Sequence, residues 1–176
     1  MTTNLRLLFA TAVIALLTSG CGPKDKTATG TTAATPQDSS STAAAPATSG
    51  PRTVEITAGD NMKFNVTSIE AKAGEQLTVI LTNIGTQPKE VMGHNWILLK
   101  KGTDADAFDK AAAQAVASEY FPAAMADQVV AHIPLLGPRK SGQVTFAVPS
   151  EPGEYTFLCS YPAHYQTGMK GVLVVK

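Results

Sequence analysis

The stretch Glu154-Tyr-Thr-Phe-Leu-Cys159-Ser-Tyr-Pro-Ala-His164-Tyr-Gln-Thr-Gly-Met169-Lys-Gly-Val-Leu-Val-Val-Lys176 decides how this chain is read. Its first part alternates with period two, so Tyr155, Phe157 and Cys159 share one face of a strand and the thiol points the same way as two aromatic side chains. Its last part, Gly171 to Lys176, is a second strand-like run rich in β-branched residues. The loop between them carries a thiol, an imidazole and a thioether at Cys159, His164 and Met169.

Working outward, similar short runs recur, each bounded by Gly, Pro, Asn or Asp: Thr53 to Thr57, Lys63 to Thr67, Gln76 to Thr82, Asn95 to Lys100, Val129 to Ile133 and Gln143 to Val148. Together with the two strands above they predict an all-β sandwich or barrel of about eight strands. The alternation of Leu77, Val79 and Leu81, and of Val144, Phe146 and Val148, gives each run one buried and one wetter face. One stretch breaks the rhythm. From Asp104 to Met125 the chain is rich in Ala, with Phe108, Ala111, Ala112, Ala115 and Val116 at helical spacing and Asp104 and Asp106 suited to a helix N-terminal turn. It is read as a short helical flap inserted between strands, a structural cover for a sheet edge.

The first twenty residues read as an export signal, with Arg6 at its start, the apolar run Leu7 to Leu17, and the small residues Thr18-Ser19-Gly20 ahead of Cys21. A Cys directly after small residues resembles the lipobox of bacterial lipoproteins, which implies a lipidated Cys21, a membrane anchor and an exported, periplasmic or cell-surface location. The other reading is ordinary signal cleavage with Cys21 left as a free thiol. From Gly22 to Pro51 there is no Val, Ile, Leu, Met or aromatic residue, so residues 21–51 are expected to form a tether that cannot bury enough to fold. Such a tether spans roughly 30 Å on average and about 100 Å at full extension. The folded domain is expected over 52–176. Lys and Arg number 14 and Asp and Glu 14, and the basic residues form no stripe, which argues against nucleic acid as a partner.

The chain has two cysteines. With Cys21 consumed by lipid, Cys159 has no partner in an oxidising compartment and needs another role. A thiolate and two imidazoles with a thioether nearby form the donor set of an electron-transfer copper centre, because soft sulfur favours Cu(I) while imidazole accepts both oxidation states. The second imidazole is sought upstream at His94. Singly, each residue has a plainer explanation: a buried Cys as a small hydrophobe, Met as core filler, His94 as a satisfied core histidine.

Val91-Met92-Gly93-His94-Asn95-Trp96, the Cys159 to Met169 loop and the closing Lys170-Gly171-Val172-Leu173-Val174-Val175 together resemble azurin and auracyanin, blue copper proteins of the cupredoxin family. The resemblance implies a Greek-key β-sandwich binding one copper ion, with His94, Cys159 and His164 as strong ligands and Met169 as a weak axial one. It implies the Gly93 carbonyl as a candidate second axial contact, and Asn95 with Ser160 as supports that tie the upstream ligand loop to the Cys loop. Four residues separate His164 from Met169, one more than in azurin, and azurin's disulfide has no counterpart here. Trp96 is read as core. His164 is expected to project its ring edge to solvent amid Val91, Met92, Tyr161 and Pro162, an apolar patch for brief docking with redox proteins such as cytochromes or membrane electron-transfer complexes.

The third histidine, His132, lies in a strand-like run and is read as structural, since an extra imidazole would suit zinc or type 2 copper rather than a trigonal site. An electron carrier, not an enzyme, is expected. A copper enzyme needs further histidines that three in total do not supply. A copper chaperone or storage lipoprotein remains as the alternative, although the five methionines are dispersed.

Overall fold

A computed structural model describes residues 50–176. The signal-like segment, Cys21 and all but the end of the 21–51 tether lie outside the described residues.

Among the described residues, eight strands form two sheets. The smaller holds β1 (Arg52–Ala58), β3 (Gln76–Asn83) and β6 (Ser141–Ala147) in the order β1-β3-β6. The larger holds β2 (Ser68–Ala71), β4 (His94–Leu99), β5 (Val129–Leu136), β7 (Gly153–Leu158) and β8 (Lys170–Val175) in the order β2-β8-β7-β4-β5. β1 runs parallel to β3 and β2 parallel to β8, and the remaining pairs are antiparallel. This is the all-β sandwich of the cupredoxin fold. The alternation seen in the sequence builds its interior: Leu77, Val79, Leu81, Trp96, Leu98, Ile133, Tyr155, Phe157 and Leu173 from the two sheets meet in one apolar core. Removing that much apolar surface from water is the main stabilising term.

Two expectations about elements are corrected. The run Lys63 to Thr67 is not a strand. Phe64 makes an isolated bridge to Ala58, and the strand that pairs with β8 lies just beyond, at Ser68–Ala71. Phe64 still enters the core, 4% exposed, so its hydrophobicity served packing and not a ladder. The flap contains a helix, α2 (Ala105–Gln114), capped by the Asp104 side chain, which accepts from the Ala107 N–H at 3.0 Å. The helical face ends sooner than the spacing suggested. Ala115 leaves helical geometry at φ −93°, ψ 46°, and Val116 is 62% exposed.

The flap covers a face of the larger sheet and not merely an edge. Every residue of β4 is buried. Trp96 and Leu98 point into the sandwich, while Ile97 and Leu99 pack outward with Leu158, Tyr165 and Phe108 of α2. A strand buried on both sides loses simple alternation.

Candidate metal centre

β4 begins at His94, the first residue after the short helix α1 (Lys89–Met92) and Gly93. A Cβ at Gly93 would lie 2.7 Å from the Lys89 carbonyl oxygen and 2.9 Å from the Leu135 side chain, so only glycine lets the chain enter the strand this closely. The β4–β5 register shifts between His94 and Trp96, with the extra residue on β5 near Pro134. Proline, which cannot donate to a ladder, is tolerated at such a bulge.

The second side of the centre comes from the loop after β7. Ile97 pairs with Leu158, so continuing that register sets Ser160 opposite Asn95. The Ser160 N–H donates to Asn95 Oδ1 at 2.8 Å and Asn95 Nδ2 donates to Ser160 Oγ at 2.8 Å. Ser160 Oγ in turn donates to the Tyr120 carbonyl at 2.6 Å. Beyond Ser160 the chain coils through a tight turn. The His164 N–H bonds the Tyr161 carbonyl at 3.0 Å, Thr167 N–H bonds Ala163 at 3.0 Å, and Met169 N–H bonds the His164 carbonyl at 2.9 Å. The Cys159 N–H closes the loop onto the Met169 carbonyl at 3.1 Å. Met169 is fully buried in the core beside Cys159.

These elements bring His94, Cys159 and His164 together, all buried, with one donor atom from each lying within 4.8 Å of the others. Cys159 Sγ stands 3.5 Å from His164 Nδ1, and the two imidazoles are 4.9 Å apart, centroid to centroid. Burial holds His94 below its ordinary pKa and lowers His164 to about 4, so both rings are neutral and ready to donate a lone pair. Burial also raises the Cys159 thiol to about 12, against the pull of the Asn95 and Tyr161 N–H groups. Both ring nitrogens of His94 are buried without a hydrogen-bond partner among the described residues. Buried polar atoms are rarely left so, and a metal ion on this soft and borderline donor set would take up one of the two nitrogens.

The expectation that His164 shows a ring edge to solvent is corrected. His164 is 2% exposed, because Tyr161 lies over it with ring centroids 4.8 Å apart. Tyr161 is itself buried, its hydroxyl donating to the Glu90 carbonyl at 2.5 Å and its ring meeting Tyr120 edge-on at 4.9 Å. Of the expected patch, Val91 is 56% exposed and Met92 and Pro162 are half-buried. His132 stays apart on the outer side of β5, stacked on Phe121 at 4.5 Å.

The sequence reading missed Tyr120, Glu119 and Asp109, all on the flap. Glu119 pairs with Lys89 of α1 at 2.5 Å, and Asp109 is 2% exposed. Helical spacing held a signal for Asp109, since it shares a face with Phe108 and Ala112. Nothing in local pattern marked Tyr120, whose backbone carbonyl is what reaches the site.

A two-sheet sandwich with a buried thiol and two neutral imidazoles at the end of one sheet defines a blue copper electron carrier of the cupredoxin fold. The chain belongs to the plastocyanin/azurin family of copper-binding proteins, whose profile matches residues 52–176. It is 38% identical over 132 residues to azurin of Bordetella pertussis, covering 73% of this chain and 87% of that protein. It is 36% identical over 126 residues to auracyanin-B of Chloroflexus aurantiacus, covering 70% of this chain and 52% of that one. The crystal structure of dithionite-reduced auracyanin from Roseiflexus castenholzii superposes with a TM-score of 0.64 at 36% identity, over 70% of this chain and 96% of the other. His94, Cys159 and His164 hold one copper ion.

Proposed function

We propose that this protein is an exported electron carrier, tied to a membrane through lipid on Cys21, which passes single electrons between redox proteins such as cytochromes or membrane electron-transfer complexes. The observation that carries the reading is the buried triad His94, Cys159 and His164 with its donor atoms within 4.8 Å. Copper bound there supplies the redox chemistry by cycling between Cu(I) and Cu(II).

The chain's residues do the rest. Cys159 binds as a thiolate, with the Asn95 and Tyr161 N–H groups facing its sulfur. Met169 and the Gly93 carbonyl would offer the copper its weaker contacts, and the Asn95 and Ser160 side chains hold the two ligand segments in register. Rigid backbone on both sides keeps the ligands in one arrangement for both oxidation states, which minimises rearrangement during transfer. Val91, Met92 and Pro162, with Tyr161 beneath them, form a small apolar docking patch suited to brief encounters.

The visible spectrum of the Cu(II)-loaded full chain tests the carrier reading. An intense thiolate-to-copper band, absent in Cys159→Ser, is expected; a colourless protein that retains zinc in copper-replete medium would overturn it. Mass spectrometry of the exported chain tests the tether separately. A free thiol at Cys21 would leave a carrier without an anchor.

A further inference from the structure

The flap turns one carboxylate inward. Asp109 stands on the buried face of α2 with Phe108 and Ala112, and Gln166 Nε2, from the ligand loop, donates to its Oδ2. Its Oδ1 is buried with no hydrogen-bond partner among the described residues. A carboxylate placed this way carries a desolvation cost, which burial and the neighbouring Asp106 register as a raised pKa. Through Gln166, which follows the ligand His164 by two residues, it stands against the copper loop. Gln166 sits midway along the turn from His164 to Met169. The backbone N–H groups of that turn bond within it, Thr167 to Ala163, Gly168 to Tyr165 and Met169 to His164, while from outside the Cys159 N–H donates to the Met169 carbonyl and the Lys63 ammonium to the Thr167 carbonyl. The Gln166 amide gives the turn a side-chain anchor on the flap.

We propose that Asp109 is a positioning residue of the copper centre: it holds Gln166, and so the turn that carries His164 to Met169, while its negative charge favours Cu(II) over Cu(I). The inference rests on copper being held by His94, Cys159 and His164. It assigns the inserted flap a part in setting the redox equilibrium, beyond covering the sheet.

Holding and charge are separable. Asp109→Asn keeps an acceptor oxygen for Gln166 and removes the charge; Gln166→Leu keeps the charge and removes the bond; Asp109→Ala removes both.

The test uses the full chain. In the metal-free protein, hydrogen exchange at the Thr167, Gly168 and Met169 amides is expected to quicken about tenfold in Gln166→Leu and Asp109→Ala and to stay unchanged in Asp109→Asn. In the copper-loaded protein at mildly alkaline pH, equilibration with a reference couple is expected to shift toward Cu(I) about tenfold in Asp109→Asn, which is 59 mV for one electron. Gln166→Leu should leave that equilibrium nearly in place. Wild-type exchange in Gln166→Leu, or a wild-type redox equilibrium in Asp109→Asn, overturns the proposal, and both variants stand even where Asp109→Ala does not fold. Wild-type protein without a thiolate-to-copper band would defeat the copper reading itself; a blue wild type with either failed variant defeats this inference alone.

Discussion

Asn95 and Ser160, far apart in sequence, exchange two hydrogen bonds of 2.8 Å each across the two ligand segments. Both side chains are buried, and Ser160 passes the connection on to the Tyr120 carbonyl of the flap. Asn95 follows His94 directly and Ser160 follows Cys159 directly, so this pair fixes the distance between two copper ligands.

Removing one partner strands the other in the interior, which costs more than the net worth of the bond. Asn95→Leu is expected to destabilise the metal-free protein by about 3 kcal/mol and Ser160→Ala by about 1.5 kcal/mol. The double variant should cost clearly less than the two together, because each single change already forfeits the Asn95 Nδ2–Ser160 Oγ bond, while the bond from the Ser160 N–H is lost only with Asn95. Urea unfolding of the four proteins measures this. Strict additivity would mean that the two side chains do not act as a unit.

Copper uptake should release one proton. At neutral pH the Cys159 thiol, raised to about 12, is protonated, whereas His164, lowered to about 4, and His94, also lowered, are already neutral. Binding therefore displaces the thiol proton alone, and the apparent affinity should rise about tenfold per pH unit through the neutral range. An indicator titration in weak buffer counts the protons, with Cys159→Ser as the control that releases none. Release near zero in the wild type would show that the thiolate exists before the metal arrives.

The metal-free fold should weaken in acid. His164 titrates near 6.5 in the unfolded chain and at about 4 in the folded one. As pH falls through that interval the unfolded state takes up the proton first, so stability is full above about pH 6.5 and is lost toward pH 4. The loss is of order 3 kcal/mol from His164, and His94 acts in the same direction. Urea midpoints across this range, compared with His164→Gln, test the assignment. An equal slope in the two proteins would place the acid sensitivity elsewhere.

Much of this was legible because the decisive residues are close in sequence. Cys159, His164 and Met169 share one loop, and Tyr155, Phe157 and Cys159 declare their common face by simple alternation, as do Leu77, Val79 and Leu81, all fully buried. The strand at Ser68–Ala71 was hidden because it is short and edges the sheet, while the more hydrophobic run before it, with Phe64, packs without pairing. The burial of His164 was not legible at all. It depends on Tyr161 reaching the Glu90 carbonyl and on Tyr120 closing from the flap, contacts between segments whose approach no local pattern encodes.

Trp96 offers a probe of the core beside the site. It is the chain's single tryptophan, fully buried between Phe157 at 5.6 Å and Phe146 at 6.1 Å, and its Nε1 has no hydrogen-bond partner among the described residues. An indole without water or a polar partner should emit at the blue limit for tryptophan in the folded metal-free protein and shift red on unfolding. The same orphaned N–H sets the outcome of Trp96→Phe. The smaller ring leaves a void that costs about 1 kcal/mol plus the lost apolar contact, while removing an unsatisfied buried donor returns about 1 to 3 kcal/mol. The two nearly cancel, so the net destabilisation should be about 1 kcal/mol or less, against about 4 kcal/mol for Trp96→Ala, where no ring remains to fill the core. Denaturant unfolding followed by circular dichroism gives both values. A loss above about 3 kcal/mol for the phenylalanine variant would mean that the indole N–H is bonded in solution.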